Sequence, residues 1–149
     1  MRVHPFLLTV LLVATAAVLG ADKPAVPPPV AADRATNVQV IAYYFHGTVR
    51  CETCLKIEKQ EREAIERRFA VEVAEKRLVF QPVNYDQPEN AHFLKDYKLP
   101  CPSLVIVRPK PGKDHKWKLL DKTWELVENP IKFNEYVERE VEKFLNGTG

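Results

Sequence analysis

One run constrains this chain more than any other. The apolar stretch Val38 to Phe45 ends in a glycine turn, and Cys51-Glu52-Thr53-Cys54 follows at the head of a long charged, helix-favouring segment. Strand, turn, two cysteines and helix, in that order, put a Cys-x-x-Cys at a helix N-terminus. There the first backbone N–H groups are unpaired and the helix dipole is positive, and both effects stabilise a thiolate, the reactive form of cysteine. A second cysteine three residues on is near enough to close a small disulfide ring. The blander alternatives are a structural zinc knuckle or two unrelated cysteines. The strand before and the helix after favour a redox dithiol.

The chain of 149 residues suffices for one domain once a targeting segment is set aside. Residues 1–20 read as a signal peptide: Arg2 gives a positive start, Phe6 to Gly20 is uncharged and mainly apolar, and Gly20 and Ala21 are small enough for cleavage. The apolar run is short for a membrane span of roughly 20 residues. An uncleaved anchor is the alternative, and membrane contact is expected only in that case. Either way the expectation is export, to a periplasm or the extracellular space, where a dithiol tends to be oxidised. Residues 21–36, with Pro24, Pro27, Pro28 and Pro29 among alanines, read as an extended linker. Residues 37–149 then form the domain and hold all three cysteines, Cys51, Cys54 and Cys101. The formal net charge of +2 comes from interleaved acids and bases, which argues against a nucleic-acid partner.

Along the domain, Asn37 to Phe45 is a strand with both faces apolar, the pattern of a strand buried between layers. Glu52 to about Arg68 lacks Gly and Pro and is a helix. Cys54, Ile57, Ala64, Ile65 and Phe69 mark one face, with Glu58 and Glu61 on the same side. Phe69 to Arg77 continues as helix with a bend. Leu78 to Tyr85 is a strand, and Pro82 places it at an edge or a bulge. A short helix over Asn90 to Tyr97, a strand over Leu104 to Val107, a Pro/Gly hairpin turn over Arg108 to His115 and a returning strand over Lys116 to Leu120 follow. Asn129-Pro130 caps a terminal helix whose apolar face runs from Ile131 to Leu145.

The order β-α-β-α-β-β-α, with Cys-x-x-Cys at the first helix and a proline before the third strand, resembles the thioredoxin-like superfamily over Asn37 to Leu145. Within it, Tyr44-Phe45-His46-Gly47-Thr48, Arg50-Cys51, Thr53-Cys54, Ile57-Glu58, Asn84, Asn90, His92-Phe93, Asp96-Tyr97, Ser103-Leu104-Val105 and Trp124-Glu125-Leu126 are similar to the thioredoxin-like family called nitrophenyl compound nitroreductase subunit ArsF. The resemblance implies an α/β fold, a central mixed sheet of about four strands flanked by helices. It also implies a small redox partner or a thiol-site binding protein. No flavin or nicotinamide site is visible, so no cofactor is expected and a nitro group could not be reduced unaided.

The resemblance further implies that Cys51 is the attacking thiolate and Cys54 the resolving thiol. Pro102, by a cis peptide bond, would shape a groove where a substrate chain pairs with the backbone. Two departures matter. Thioredoxins carry a buried acid on the strand before the motif, whereas Tyr43 and Tyr44 stand there in this chain, leaving Glu58, His46 or water to move the proton. Cys101 precedes Pro102, where thioredoxins often place Thr, Val or Ile.

Glu58 lies seven residues after Cys51 and four after Cys54, on one helix face with both; its roles are proton acceptor or solvated residue at the edge of the stripe. His46 orients a thiolate or caps the turn. Arg50 favours the Cys51 thiolate and Glu52 opposes it, so no extreme oxidant is expected. Trp117 and Trp124 are expected to pack the edge of the core.

Three function classes follow. The first is an exported thiol–disulfide oxidoreductase or redox relay, whose partner is a protein thiol or disulfide. The second is a non-catalytic metal or metalloid binding domain using Cys51, Cys54 and Cys101, with His46 as a fourth ligand. The third is a thioredoxin-fold subunit of a larger redox complex.

Overall fold

The computed structural model describes residues 39–110 and 115–149. The signal peptide and linker expected over residues 1–36, the strand start at Asn37 and residues 111–114 of the hairpin lie outside them.

The elements run β1 Val40–His46, α1 Glu52–Arg68, α2 Ala70–Ala74, β2 Leu78–Asn84, α3 Phe93–Asp96, β3 Ser103–Arg108, β4 Lys116–Leu119, α4 Thr123–Leu126 and α5 Pro130–Leu145. A 3-10 turn at Pro88–Asn90 precedes α3. The strands form one sheet in the order β2-β1-β3-β4. β1 pairs with β2 in parallel, while β1–β3 and β3–β4 are antiparallel. Pro82 fits because β2 is an edge strand, where a missing N–H leaves no internal ladder bond unmade.

The alternation of side chains along the two central strands builds the layers. Val40, Ala42 and Tyr44 of β1 and Leu104 and Ile106 of β3 face α1 and α5, in a core that also holds Ile57, Ile65, Phe133, Val137 and Val141. Phe45, Val105 and Val107 point the other way, against Phe93 and Tyr97. Phe45 lies 5.1 Å from Phe93 and 5.4 Å from Tyr97, ring centre to ring centre. Trp124 packs against the first core, and Trp117 meets Tyr97 edge-on at the rim of the second. The four-stranded mixed sheet with helices on both faces is the expected thioredoxin-like α/β fold.

α1 is helical for local reasons as well as for its buried stripe. Lys59–Glu63 and Arg62–Glu66 are spaced one turn apart, and Arg67 and Arg68 close the helix at its negative end. The break before α2 falls at Phe69, whose ring is buried in the core and whose backbone leaves the helical region (φ −119°, ψ 37°). Burial of that ring turns the chain where the sequence suggested only a bend. α5 begins as the Asn-Pro pair predicts, with Asn129 Oδ1 accepting from the Lys132 N–H at 3.2 Å. α4 was not foreseen: its four residues carry too little periodicity to read as a helix. Among the described residues, no helix is long and apolar enough to cross a membrane.

Candidate functional site

The loop between β1 and α1 is clipped to the end of β2. The Thr48 N–H donates to Asp86 Oδ2 at 2.7 Å, and Asn84 Nδ2 donates to Thr48 Oγ1 at 3.0 Å. Gly47 suits the closeness of that approach, since a Cβ there would come within 3.2 Å of Asp86 Oδ2 and 3.4 Å of the Tyr85 ring. His46 Nδ1 lies 2.9 Å from the Gly47 carbonyl oxygen. A carbonyl only accepts, so this nitrogen carries the proton and the ring holds the turn.

Cys51 is the N-cap of α1, with extended backbone (φ −80°, ψ 163°). Its Sγ takes the place of the usual Ser, Thr, Asp or Asn oxygen and accepts the Cys54 N–H at 3.1 Å. Cys51 and Cys54 form a disulfide, with Cα atoms 5.1 Å apart. The two sulfurs are not equivalent. Cys51 is exposed, whereas Cys54 is 6% exposed and belongs to the helix's buried stripe. On reduction, a Cys51 thiolate would keep the N–H and the positive helix end.

Arg50 is engaged elsewhere. Its guanidinium pairs with Glu58 and stands 5.7 Å over the Tyr44 ring. Glu58 is thus held between two cations, Arg50 and, at 3.4 Å, Arg62. Tyr44 sits beneath, fully buried, and its hydroxyl donates to the Cys54 carbonyl at 2.8 Å.

The residue that sequence reasoning passed over is Glu61. It is 0% exposed, and neither carboxyl oxygen has a hydrogen-bond partner. Burial first, and the Glu58 charge second, push its carboxyl well above the ordinary value of 4.5. A signal existed. Cys54, Ile57, Glu61, Ala64 and Ile65 form one unbroken buried stripe, and an acid inside such a stripe has no water to face.

Cys101 is a half-buried free thiol. Its Sγ lies 3.8 Å from Ser103 Oγ, which donates to the Cys101 carbonyl at 2.8 Å. Burial, then the nearby Asp86 and Cys101, raise the Tyr85 hydroxyl above its ordinary value. Among the described residues, no three His, Cys, Asp or Glu side chains are grouped so as to hold a metal ion. The expected cis bond at Pro102 is corrected, for no peptide bond among the described residues is cis. Trans is the lower-energy isomer. The chain instead turns earlier, at Lys98 (φ 52°), and the Trp124 indole N–H holds the Pro102 carbonyl at 2.8 Å.

No protein-family model matches the sequence, and no curated protein does. Two solved structures are similar. One is a thioredoxin from Thermus thermophilus, at 20% identity over 71% of this chain and 76% of that one, with a TM-score of 0.43. The other is described as a malarial protein, at 18% identity over 63% of this chain and 94% of that one, with a TM-score of 0.37. Both likenesses are slight, and the fold assignment rests on the sheet order and connections themselves. Neither comparison touches the narrower family resemblance.

Proposed function

We propose that this chain is an exported thiol–disulfide exchange protein or redox relay that acts through Cys51 and Cys54. One observation carries the reading: the exposed residue Cys51 at the head of α1 accepts a helix N–H through its sulfur, while its disulfide partner Cys54 is buried. Exchange needs that asymmetry. A partner thiolate reaches one sulfur only, the other leaves into a protected site, and the exposed sulfur is the better stabilised anion. The apolar side chains Val49, 92% exposed, and Leu55, 49% exposed, flank the disulfide and offer a protein partner a surface to dock on. Pro102, half-buried ahead of β3, would border the path of the partner chain. The ArsF-like resemblance of the motif residues belongs to the same proposal, as a small redox partner of another protein. Export rests on the composition of residues 1–20.

Trapping tests the exchange. With Cys54→Ser, incubation with a mixture of oxidised proteins from the cell envelope should accumulate mixed disulfides through Cys51, and Cys51→Ser should accumulate none. Equal trapping by both variants, or by neither, removes the exchange reading. Terminal sequencing of chain recovered from its host tests export, with a start near Ala21 or Asp22 expected.

A further inference from the structure

α4 is the element that local sequence did not announce, and it is bonded at both ends. Its Trp124 indole N–H donates to the Pro102 carbonyl at 2.8 Å. Thr123, fully buried, donates through Oγ1 to the Leu120 carbonyl at 3.2 Å. Just past the far end, the Val127 carbonyl accepts from Gln60 Nε2 of α1 at 3.1 Å. A carbonyl only accepts, so the amide nitrogen of Gln60 must face it. The amide oxygen of Gln60 is left buried without a partner, a cost that an apolar residue at the same place would not carry.

These bonds close a circuit that begins and ends on the helix of the dithiol. The Cys54 carbonyl of α1 is held by the Tyr44 hydroxyl of β1. Tyr44 stands opposite Leu104 in the β1–β3 ladder, and Pro102 comes two residues before Leu104. The Leu104 carbonyl accepts the Leu120 N–H at 2.9 Å, which fixes the approach to α4 against β3. Trp124 then holds Pro102, and Val127 returns the circuit to α1 at Gln60, six residues beyond Cys54. The segment ahead of β3 is therefore held on two successive carbonyls. Ser103 Oγ donates to that of Cys101 at 2.8 Å, and Trp124 donates to that of Pro102.

We infer that Trp124 is a positioning residue: through Pro102 it fixes the Cys101–Pro102 backbone relative to the head of α1, for a partner that is an extended polypeptide. The inference rests on the exchange reading and narrows its substrate class to dithiols embedded in a peptide backbone. A segment already held in place loses less freedom when a partner chain docks on it, so Trp124 acts on partner affinity. The chemical step does not pass through the indole. A partner thiolate attacks Cys51 Sγ, a partner–Cys51 S–S bond forms, the Cys51–Cys54 bond breaks, and Cys54 leaves with the electron pair and takes up a proton. The partner's second thiol, as thiolate, then displaces Cys51. Two electrons have passed to the pair, and the partner is left as a disulfide. A small dithiol performs the same steps without docking on the Cys101–Pro102 segment.

Two reductants test it on the full chain: a short extended peptide carrying a Cys-x-x-Cys pair, and dithiothreitol. Reduction of the Cys51–Cys54 disulfide is followed by alkylation of the thiols it releases. Trp124→Phe keeps an aromatic ring against the core and removes the N–H. With the peptide it should raise the half-saturating concentration about fivefold and leave the limiting rate within about twofold. With dithiothreitol the rate should stay within about twofold. A merely structural Trp124 would lower the melting temperature and change both reductions alike. Parallel changes with the two reductants, or an unchanged half-saturating concentration, overturn the proposal. A peptide rate that never saturates in the unaltered chain overturns it too, since no docking then exists to position. Should Trp124→Phe fail to fold, Gln60→Leu decides on the same criteria, because it opens the circuit at α1 and also removes the unpartnered oxygen. Trapping by Cys54→Ser decides the exchange reading separately, so the two failures are told apart.

Discussion

Glu61 and Glu140 are the same residue in nearly the same burial, 0% and 3% exposed, each on the core-facing side of a long helix. Their surroundings differ in kind. Glu140 meets Lys118 at 2.8 Å, Lys143 at 3.0 Å and Arg139 at 3.3 Å. Burial alone would raise its carboxyl, but hydrogen bonds and charge from Lys118 and Lys143 outweigh it, and the group is pulled down to about 2. Glu61 has no such neighbour and is pushed the other way. A buried acid is therefore not one kind of object. The cations beside Glu140 reach it from β4 and from the turns of α5, at the rim of the core where their own stems stay in water. The carboxyl of Glu61 is fully buried without a hydrogen-bond partner, where a lysine could not keep its charge hydrated. One site holds a helix to a strand, and the other keeps an unpartnered carboxyl in the core.

The largest test of that contrast is a pair of replacements with opposite signs. Glu61→Leu should raise stability at pH 7 by about 1–3 kcal/mol, because an unpartnered polar group leaves the core. Glu140→Gln should lower it by about 1–2 kcal/mol, because hydrogen bonds to charged groups are lost while the lysines can rehydrate. Urea unfolding at constant slope measures both, and effects of the same sign would break the comparison.

The next effect is on the pH profile. The folded state holds Glu140 near 2 against an ordinary 4.5, so its contribution is present above 4.5 and is lost as pH falls from 4.5 toward 2. Glu61 runs oppositely. Its proton is held more tightly in the folded chain, so stability is greatest below 4.5 and declines as pH rises from there through the raised folded value. Unfolding free energies from pH 2 to 8 should therefore lose the acid limb in Glu140→Gln and the rising-pH decline in Glu61→Gln. A decline that persists in Glu61→Gln would assign it to other groups.

Tyr44→Phe is expected to cost about 1 kcal/mol through the lost bond to the Cys54 carbonyl, and to leave the acid limb unchanged. If thermal melting shows no loss, the hydroxyl is not part of the structure that sets Glu61 apart. The smallest effect should come from the exposed pair Lys56–Glu128, whose side chains are 43% and 79% exposed. Lys56→Ala should change stability by less than about 0.5 kcal/mol, because solvent screens a surface pair that burial would strengthen.

Much of this was legible in the chain itself. The bounds of α1 and the start of α5 follow from local chemistry: no Gly or Pro between Glu52 and Arg68, and an Asn-Pro cap at 129–130. The central position of β1 follows from its two apolar faces, and the edge position of β2 from Pro82. The site was legible as far as Cys51 and Cys54, because a Cys-x-x-Cys at a helix head is a local pattern. What was not legible depended on groups distant in sequence. Arg50 was expected to serve Cys51, yet its guanidinium meets Glu58 two turns into α1. The trans bond at Pro102 sits beside a carbonyl held by Trp124, twenty-two residues later.

The sequence by itself determined where the helices and strands form and that a dithiol heads the first helix, because propensity, capping and periodicity act over a few residues. Only the tertiary structure decided which glutamate matters. Glu58 and Glu61 lie on the same side of α1 and are nearly interchangeable by spacing. Packing of β1 and α5 against α1 covers Glu61 and leaves Glu58 within reach of Arg50 and Arg62. The cost of a charge depends on the atoms that enclose it, and those atoms come from elements that the local sequence does not contain.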